Sequence, residues 1–474
     1  MASERPRSHS LRFHLALIAS KVTASALRML GRTGEQLPGA IAGAIDPQFL
    51  AHIGKPEHCV IVSGTNGKTT TTNLLCDLLA FNKIDVITNR SGANCVGGFE
   101  SIFLKHANLS GHARRKLAVM ELDELSFRTV MPHMDPEMVI VTNLYGDTFT
   151  RSADPAYVFS VMDAHLPASS KLVLNGDDLL SCRLGAQRSS DRVFFSIARL
   201  PEDTGEPQGI VSDMTVCPEC GGSLEYEYCH LRHLGKVHCT HCGLTNPLPD
   251  YEIVSVDRER QTFVVAEHKD REPRTYEYRY GSYSVATLYN VLAVISAARE
   301  MGLAPDQIAR ALDGGVTITE RRLFEREAHG KRVACVAAKG ENATANSVAY
   351  DIVRKGAGNK AVVIVIHDSH MAEVPEDTEF TGWYYQADFE YLADPSIKQV
   401  INLGTTSEDV ALRLALAGVD RSITHIASSP EEVVEVVDFD LVDTVYIAHC
   451  VTNVEVAHQM TDQLIAKVEG AFHE

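Results

Sequence analysis

The stretch Val60-Ile-Val62-Ser63-Gly64-Thr65-Asn66-Gly67-Lys68-Thr69-Thr70-Thr-Thr-Asn73 decides how this chain folds. The β-branched run Val60 to Val62 predicts a buried strand. A short loop with Gly64 and Gly67 follows, then Lys68, then threonines that open a helix continuing through Leu74, Leu75, Leu78 and Leu79. Strand, glycine loop, lysine and helix together hold a polyphosphate. Glycines let backbone N–H groups approach phosphate oxygens, and the helix N-terminus adds partial positive charge. Lys68 adds a full charge, and the Thr69 hydroxyl can ligate Mg²⁺. The spacing is not the common G-x-x-x-x-G-K-T, because Val62 stands where its first glycine would be. Gly64, Thr65, Asn66, Gly67, Lys68, Thr69 and Thr70 are therefore the candidate phosphate-binding residues.

Outward from this loop, strand-like runs alternate with helical stretches at Cys59–Ser63, Asp85–Thr88, Leu117–Glu121, Met138–Asn143, Leu172–Asn175 and Val193–Ser196. That rhythm predicts an α/β fold with a parallel central sheet covered on both faces. A Cys/His-rich insert at 213–248 interrupts it. Strand-like runs resume at Tyr251–Val256, Thr262–Glu267 and Arg274–Tyr280, and a long helix is expected over Ala286–Met301. Ala311 to Arg322 reads as a hinge. A second pattern follows at Val333–Ala337, Ala361–Ile366, Gln399–Leu403, Ile423–Ala427 and Thr444–His449, with the rhythm of a Rossmann-like domain. The expected domains are an N-terminal helical segment (1–50), an ATP-binding domain (51–320) and a C-terminal α/β domain (321–474).

Two further stretches would complete an ATP site. Glu121-Leu-Asp123-Glu124 ends a strand with three carboxylates, and Glu121 is placed to hold Mg²⁺ beside the phosphates. Asn143 and Asp147 end the next strand at the same edge, and Asn143 counts as a nucleotide-binding candidate. Asn175-Gly-Asp177-Asp178 ends another strand, with an Asx-type turn as the competing reading. In the insert, Cys217-x-x-Cys220 and Cys239-x-x-Cys242 are two knuckles with the spacing of a four-thiolate zinc site. Four protein ligands leave no open position, so the zinc would be structural. Cys229, His230, His233, His238 and His241 are alternative ligands, with the paired thiols preferred. Gly221 and Gly243 suit the turn after each knuckle. Other cysteines lie mostly in apolar runs and read as core residues.

The 474-residue chain carries a formal net charge of −18, which argues against a general nucleic-acid binder. No window supplies the ~18–20 uninterrupted apolar residues of a membrane span. Leu11 to Leu30 is broken by His14, Lys21 and Arg28 and does not read as a secretory leader. With eleven cysteines and no leader, reduced thiols and a cytoplasmic location are expected. Leu11 to Leu30 has helical spacing, and Gly31 to Gly43 reads as a glycine-punctuated loop. One reading lays the helix on the inner membrane face; the other, favoured because the polar face is only weakly basic, packs it on the next domain.

Taken together, Ser63-Gly-Thr-Asn-Gly-Lys-Thr-Thr70 resembles the ATP loop of the Mur ligases, and the chain is most similar to their MurT family. Gly31 to Gly39 with Ile45-Asp-Pro47, Glu121 to Glu124, the position of the zinc ribbon, and Asp409 to Leu414 with Ala417-Gly418 carry the likeness. Tyr289-Asn290-Val-Leu-Ala293 resembles the helix whose Asn contacts adenine, so the resemblance adds Asn290, and with it Arg322, to the nucleotide set. No UDP-sugar-binding domain is expected ahead of the ATP domain. The implied reaction is amidation of lipid II. ATP converts the α-carboxyl of its D-glutamate to an acyl phosphate, and ammonia from a GatD-type glutaminase, bound as a heterodimer partner, gives D-isoglutamine. ATP, Mg²⁺ and Zn²⁺ are the implied cofactors.

Three C-terminal stretches depart from the family. Lys339-Gly-Glu-Asn342-Ala stands for Lys-Asn-Pro-Ala-Gly, and Asp377-Thr-Glu379-Phe380 through Gln386 for Asp-Gly-x-Asp-Val-Ser-Trp-x-Trp-Asp. His449-Cys450-Val-Thr452 replaces a Tyr-Thr stretch. The family Asp that completes the glutaminase's Cys–His pair is Phe380 here, which leaves Asp377 and Glu379, with Lys339, as the catalytic candidates. Two alternatives stay open: a ligase acting on another acceptor without glutaminase, and a non-catalytic ATP-binding regulator of cell-wall synthesis.

Overall fold

Val60 and Val62 face one side of their strand and Cys59 and Ile61 the other, and both sides are buried in separate apolar clusters. A strand with two dry faces belongs in the middle of a sheet covered by helices. The computed structural model describes residues 10–32, 34–90, 92–146, 154–210, 213–279, 284–314, 323–338, 340, 342–366 and 381–471. Two compact units emerge: Met1–Gly146 with Asp154–Gln208 and Asp213–Ile318, and a second made chiefly of Thr319–Glu474.

In the first unit the strands in chain order are β1 (His58–Ser63), β2 (Val86–Ile87), β3 (Leu117–Glu121), β4 (Met138–Val141), β5 (Lys171–Asn175), β6 (Arg192–Ile197), the hairpin β7 (Leu224–Leu231) and β8 (Leu234–Cys239), then β9 (Tyr251–Asp257), β10 (Thr262–Glu267) and β11 (Arg274–Arg279). The large sheet has the order β11-β10-β9-β6-β5-β4-β1-β3-β2. It is parallel from β2 to β9, and β10 and β11 extend it antiparallel. The mixed edge follows from loop length. Short turns join β9, β10 and β11, whereas parallel neighbours need a crossover. The helices Lys68–Phe81 and Val285–Glu300 cover the Val60/Val62 face. The second is buried at every position from Leu288 to Ala298, so apolar residues run all the way round it.

Two expectations need correction. The glycine-punctuated loop expected over Gly31–Gly43 is, from residue 37, the helix Leu37–Ile45, which starts with Pro38 in its first turn. Its glycines serve contact instead of turning. A Cβ on Gly39 would lie 2.0 Å from the Gly97 carbonyl, and one on Gly43 3.1 Å from Glu100, both on the facing helix Val96–His106. The hinge expected from Ala311 begins as the last turn of the helix Pro305–Gly314, whose Ala311 and Leu312 are core residues. The rest of that stretch, with Arg322, lies outside the described residues.

The second unit is a sheet of order β12-β13-β17-β14-β15-β16, with β12 (Leu323–Ala328), β13 (Lys331–Ala338), β14 (Lys360–Val365), β15 (Ile397–Leu403), β16 (Thr424–Ala427) and β17 (Thr444–Cys450). All pairs are parallel except β12–β13. Cores lie on both faces. Arg413 pins one of them. Its guanidinium donates to the Tyr384 and Ala387 carbonyls at 2.9 and 3.0 Å and to both Glu390 oxygens at 2.9 and 2.8 Å.

Candidate nucleotide site and metal centre

Gly64 and Gly67 both have positive φ, 121° and 86°, and neither tolerates a side chain. A Cβ on Gly64 would fall 2.3 Å from Thr142 Oγ1, and one on Gly67 2.1 Å from Asn290 Oδ1. The loop is gripped from the end of β4. Asn66 N–H donates to Asn143 Oδ1 at 3.0 Å, and Asn143 Nδ2 returns a bond to the Asn66 carbonyl at 3.1 Å. Thr142 Oγ1 donates to the same carbonyl at 2.6 Å, and Thr65 Oγ1 accepts from Tyr145 N–H at 3.0 Å. The helix Lys68–Phe81 then begins with Gly67 as its N-cap, which leaves its first-turn N–H groups without a capping side chain.

Lys68 lies buried at this helix start. Its ammonium donates to the Gly64 carbonyl at 2.6 Å and to Glu124 Oε1 at 3.0 Å. Burial pushes the Glu124 carboxyl up, against the pull of Lys68. Thr69 is exposed, and its hydroxyl donates to Glu121 Oε2 at 2.8 Å. Asn94 Nδ2 holds the other oxygen of Glu121 at 2.9 Å, while Asn89 clamps the Glu121 backbone N–H and carbonyl at 2.8 and 2.9 Å. Asn290 packs against Gly67, with Thr71 Oγ1 3.4 Å from its Oδ1. Thr70 is half-buried on the first turn. So Gly64 to Thr70, Glu121, Asn143 and Asn290 converge at the carboxyl ends of β1, β3 and β4, where open parallel sheets bind ligands. Lys339, Asp377 and Glu379, like Arg322, lie outside the described residues.

Cys217, Cys220, Cys239 and Cys242 bring their sulfurs within 4.8 Å of one another. The pairs Cys217–Cys242 and Cys220–Cys239 are 3.6 and 3.5 Å apart. A tetrahedral zinc with Zn–S near 2.3 Å spaces its sulfurs by about 3.8 Å, so the donor set fits zinc. The knuckles repeat one design. Cys217 N–H donates to the Gly222 carbonyl and Cys239 N–H to that of Leu244, while Gly221 and Gly243 return bonds to Cys217 and Cys239. Both glycines have positive φ, as a turn of this shape requires.

Two of the histidines named as alternative ligands, His233 and His230, are held by carboxylates instead. At the β7–β8 tip, His233 is fully buried between Asp178 (Nε2–Oδ1 3.3 Å) and Asp213 (Nδ1–Oδ2 3.7 Å). Burial opposes its charge, but the two carboxylates win and lift it to about 9. His230 bonds Asp203 at 2.9 Å. Asp178 Oδ2 accepts from Leu144 N–H at 2.7 Å and Asp213 Oδ1 from Gly146 N–H at 3.1 Å. Through these two carboxylates the ribbon tip braces the segment that follows β4, one and three residues beyond the Asn143 grip on the loop. The Asx turn also forms, Asp177 N–H donating to Asn175 Oδ1 at 3.0 Å. Thr142 was legible as one of the polar groups ending β4, whereas Asn89, Asn94 and Asp213 were not legible as parts of the site. Only their sheet-edge position could have flagged Asn89 and Asn94, and nothing local marks Asp213.

The family profile "MurT ligase C-terminal" matches residues 341–454. Lipid II isoglutaminyl synthase (glutamine-hydrolyzing) subunit MurT of Staphylococcus aureus (strain COL) is 30% identical over 410 residues, covering 86% of this chain and 87% of the relative. The subunit of the same name from Streptococcus pneumoniae is 26% identical over 439 residues, 90% of this chain and 92% of its own. Among solved structures, a pseudomurein peptide ligase type C from Methanothermus fervidus superposes with a TM-score of 0.62 at 18% identity, over 88% of this chain and 81% of that one. MurF ligase from Thermotoga maritima, in complex with ADP, gives 0.56 at 14% identity, over 91% and 84%. These two show the fold alone.

Proposed function

Because this chain belongs to the MurT family, whose Staphylococcus aureus member it matches along most of both chains, we propose that it is the ATP-consuming ligase subunit of a lipid II isoglutaminyl synthase. It is a carbon–nitrogen ligase. The reaction is activation of the D-glutamate α-carboxyl of lipid II as an acyl phosphate, followed by attack of ammonia to give D-isoglutamine. A carboxylate is a poor electrophile, and phosphorylation supplies the leaving group. Such chemistry asks for phosphate clamps and positioning more than for covalent groups of the protein.

In this reading Gly64 to Thr70 cradle the ATP phosphates through backbone N–H groups, with Lys68 as the fixed cation. Asn143 holds the loop in shape, and Asn290 and Arg322 belong to the nucleotide side. Thr69 and Glu121 hold Mg²⁺, which neutralises phosphate charge when bound. The observation that carries this is the Thr69–Glu121 contact at 2.8 Å beside a buried Lys68, a hard-cation donor pair at a phosphate loop. Cys217, Cys220, Cys239 and Cys242 hold a structural zinc. The proposed division of labour is 1–50 as an N-terminal helical segment, 51–320 for ATP, and 321–474 for acceptor and partner. Lys339, Asp377 and Glu379 act there, and a GatD-type glutaminase delivers ammonia at the cytoplasmic face of the membrane.

The test is incubation with lipid II, ATP and glutamine, with and without glutaminase, reading product mass. A loss of about 1 Da, carboxyl to carboxamide, only with glutaminase present is the expected result. The divergent stretches at 339–342 and 377–386 favour one specific competitor. ADP release driven by another acceptor, and indifferent to glutaminase, would replace the amidation reading. No turnover with any cell-wall precursor would leave a nucleotide-binding regulator.

A further inference from the structure

The helix Leu11–Met29 has two apolar faces, and among the described residues only one is buried. Phe13, Ala16, Leu17 and Ser20 are buried, with Phe13 stacked on Phe49 at 5.4 Å between ring centroids. On the opposite side Leu11, Leu15, Ile18, Val22 and Met29 stand 76, 54, 61, 63 and 83% exposed. Their spacing is 4, 3, 4 and 7, so they form one stripe with exposed Ser25 in its gap. Lone exposed apolar residues need no explanation, but a continuous stripe along a helix of about 28 Å does.

Charge selects the occupant. Between Glu4 and Glu35 the chain carries Arg5, Arg7, Arg12, Lys21, Arg28 and Arg32 and no acidic residue, within a protein of net charge −18. Arg12 and Arg28 are exposed beside the stripe. Lys21 is anchored by the Leu104 and Ala107 carbonyls at 2.9 Å each, and burial together with Arg114 and Arg28 lowers its pKa, a sign of crowded positive charge. A second copy docking through the same stripe would press two acid-free, cationic helices together. An anionic lipid surface satisfies stripe and charges at once.

We propose that the outer face of the helix Leu11–Met29 docks, lying flat, on a bilayer rich in anionic lipid. The stripe enters the boundary between headgroups and acyl chains, and Arg12, Arg28 and Arg32 meet lipid phosphates. This rests on the helix's own faces and charges and not on the amidation reading.

The experiment is sedimentation of the full chain with vesicles of phosphatidylcholine, with or without phosphatidylglycerol, and without lipid II. The protein is expected to pellet with the phosphatidylglycerol vesicles alone, and about tenfold less in high salt. The variant L15D/I18D/V22D is expected to stay in the supernatant with an unchanged melting temperature, since these side chains touch solvent. R12E/R28E/R32E is expected to lose the preference for anionic lipid. Wild-type protein that stays in the supernatant at low salt would overturn the proposal, as would a triple Asp variant that pellets as well as wild type. A wild-type dimer that the same variant makes monomeric would assign the stripe to a second copy. Because the vesicles hold no acceptor, failure here leaves the amidation reading untouched, and failure of amidation leaves the docking intact.

Discussion

Lys68 answers to two demands. It is the cation at the helix start, and it also neutralises a buried Glu124. Replacing it therefore removes a phosphate contact and strands a carboxylate that burial already pushes toward the neutral form. Lys68→Ala is expected to weaken ATP binding by at least about a hundredfold, in the range of a lost charge-assisted contact. Lys68→Ala/Glu124→Gln should recover the melting temperature but not the affinity, which separates the two roles by calorimetry. Gly67 is the second residue whose identity the geometry dictates. Gly67→Ala meets both a positive φ and Asn290, and should cost about 1–3 kcal/mol of stability with loss of nucleotide binding. Adding Asn290→Ala should relieve only the contact part, measurable as partial recovery in urea unfolding. Gly64, Gly67, Lys68 and Thr69 were readable from spacing, because their chemistry is local. Asn89 and Asn94 were not, because what they orient, Glu121, lies 27 to 32 residues away.

The Cys-rich ribbon as an element is a brace, and with the proposed zinc on its four thiols it would also be a staple. Chelation should release one metal per chain and lower the melting temperature, because the two knuckles lose the ion that would tie their four thiols together. The brace is readable through pH. His233 binds its proton more tightly folded than unfolded, since its folded value lies near 9 and its ordinary one near 6.5. Its contribution is therefore complete below about pH 6.5 and is lost as pH rises through about 9. Denaturant midpoints of the zinc-loaded protein should fall across that window, and His233→Gln should flatten the fall. An unchanged slope in the variant would remove His233 from the account. In the sequence His233 read as a spare zinc ligand, because histidine between two Cys-x-x-Cys knuckles has that as its nearest chemistry. Of the two carboxylates that claim it instead, Asp178 lies ahead of the insert and Asp213 is the insert's first residue, outside both knuckles. The helix Leu37–Ile45 was missed for a related reason. Gly39 and Gly43 mean a turn when nothing faces them and a close helix contact when Gly97 and Glu100 do.

At the scale of the whole molecule, each unit carries its own cores on both faces of its own sheet. Differential scanning calorimetry is expected to resolve two transitions, and Mg-ATP at 100 times its Kd should raise the one that belongs to the unit carrying Gly64 to Thr70, by about 2.7 kcal/mol. A single transition that moves as a whole would contradict this. From the sequence alone, the alternation of β-branched runs with helical periods established that the chain is α/β, and motif spacing established which loop could take a phosphate and which four thiols could share a metal. Those features are written within a few residues of one another, so hydrogen-bond geometry and ligand spacing are enough to read them. Only the tertiary structure decided that Arg413 would meet Glu390, that His233 would brace the turn behind Asn143, and that one face of the N-terminal helix would be left to solvent. Each depends on which side chains arrive from distant segments to compete for the same space or charge, and no local pattern encodes that meeting.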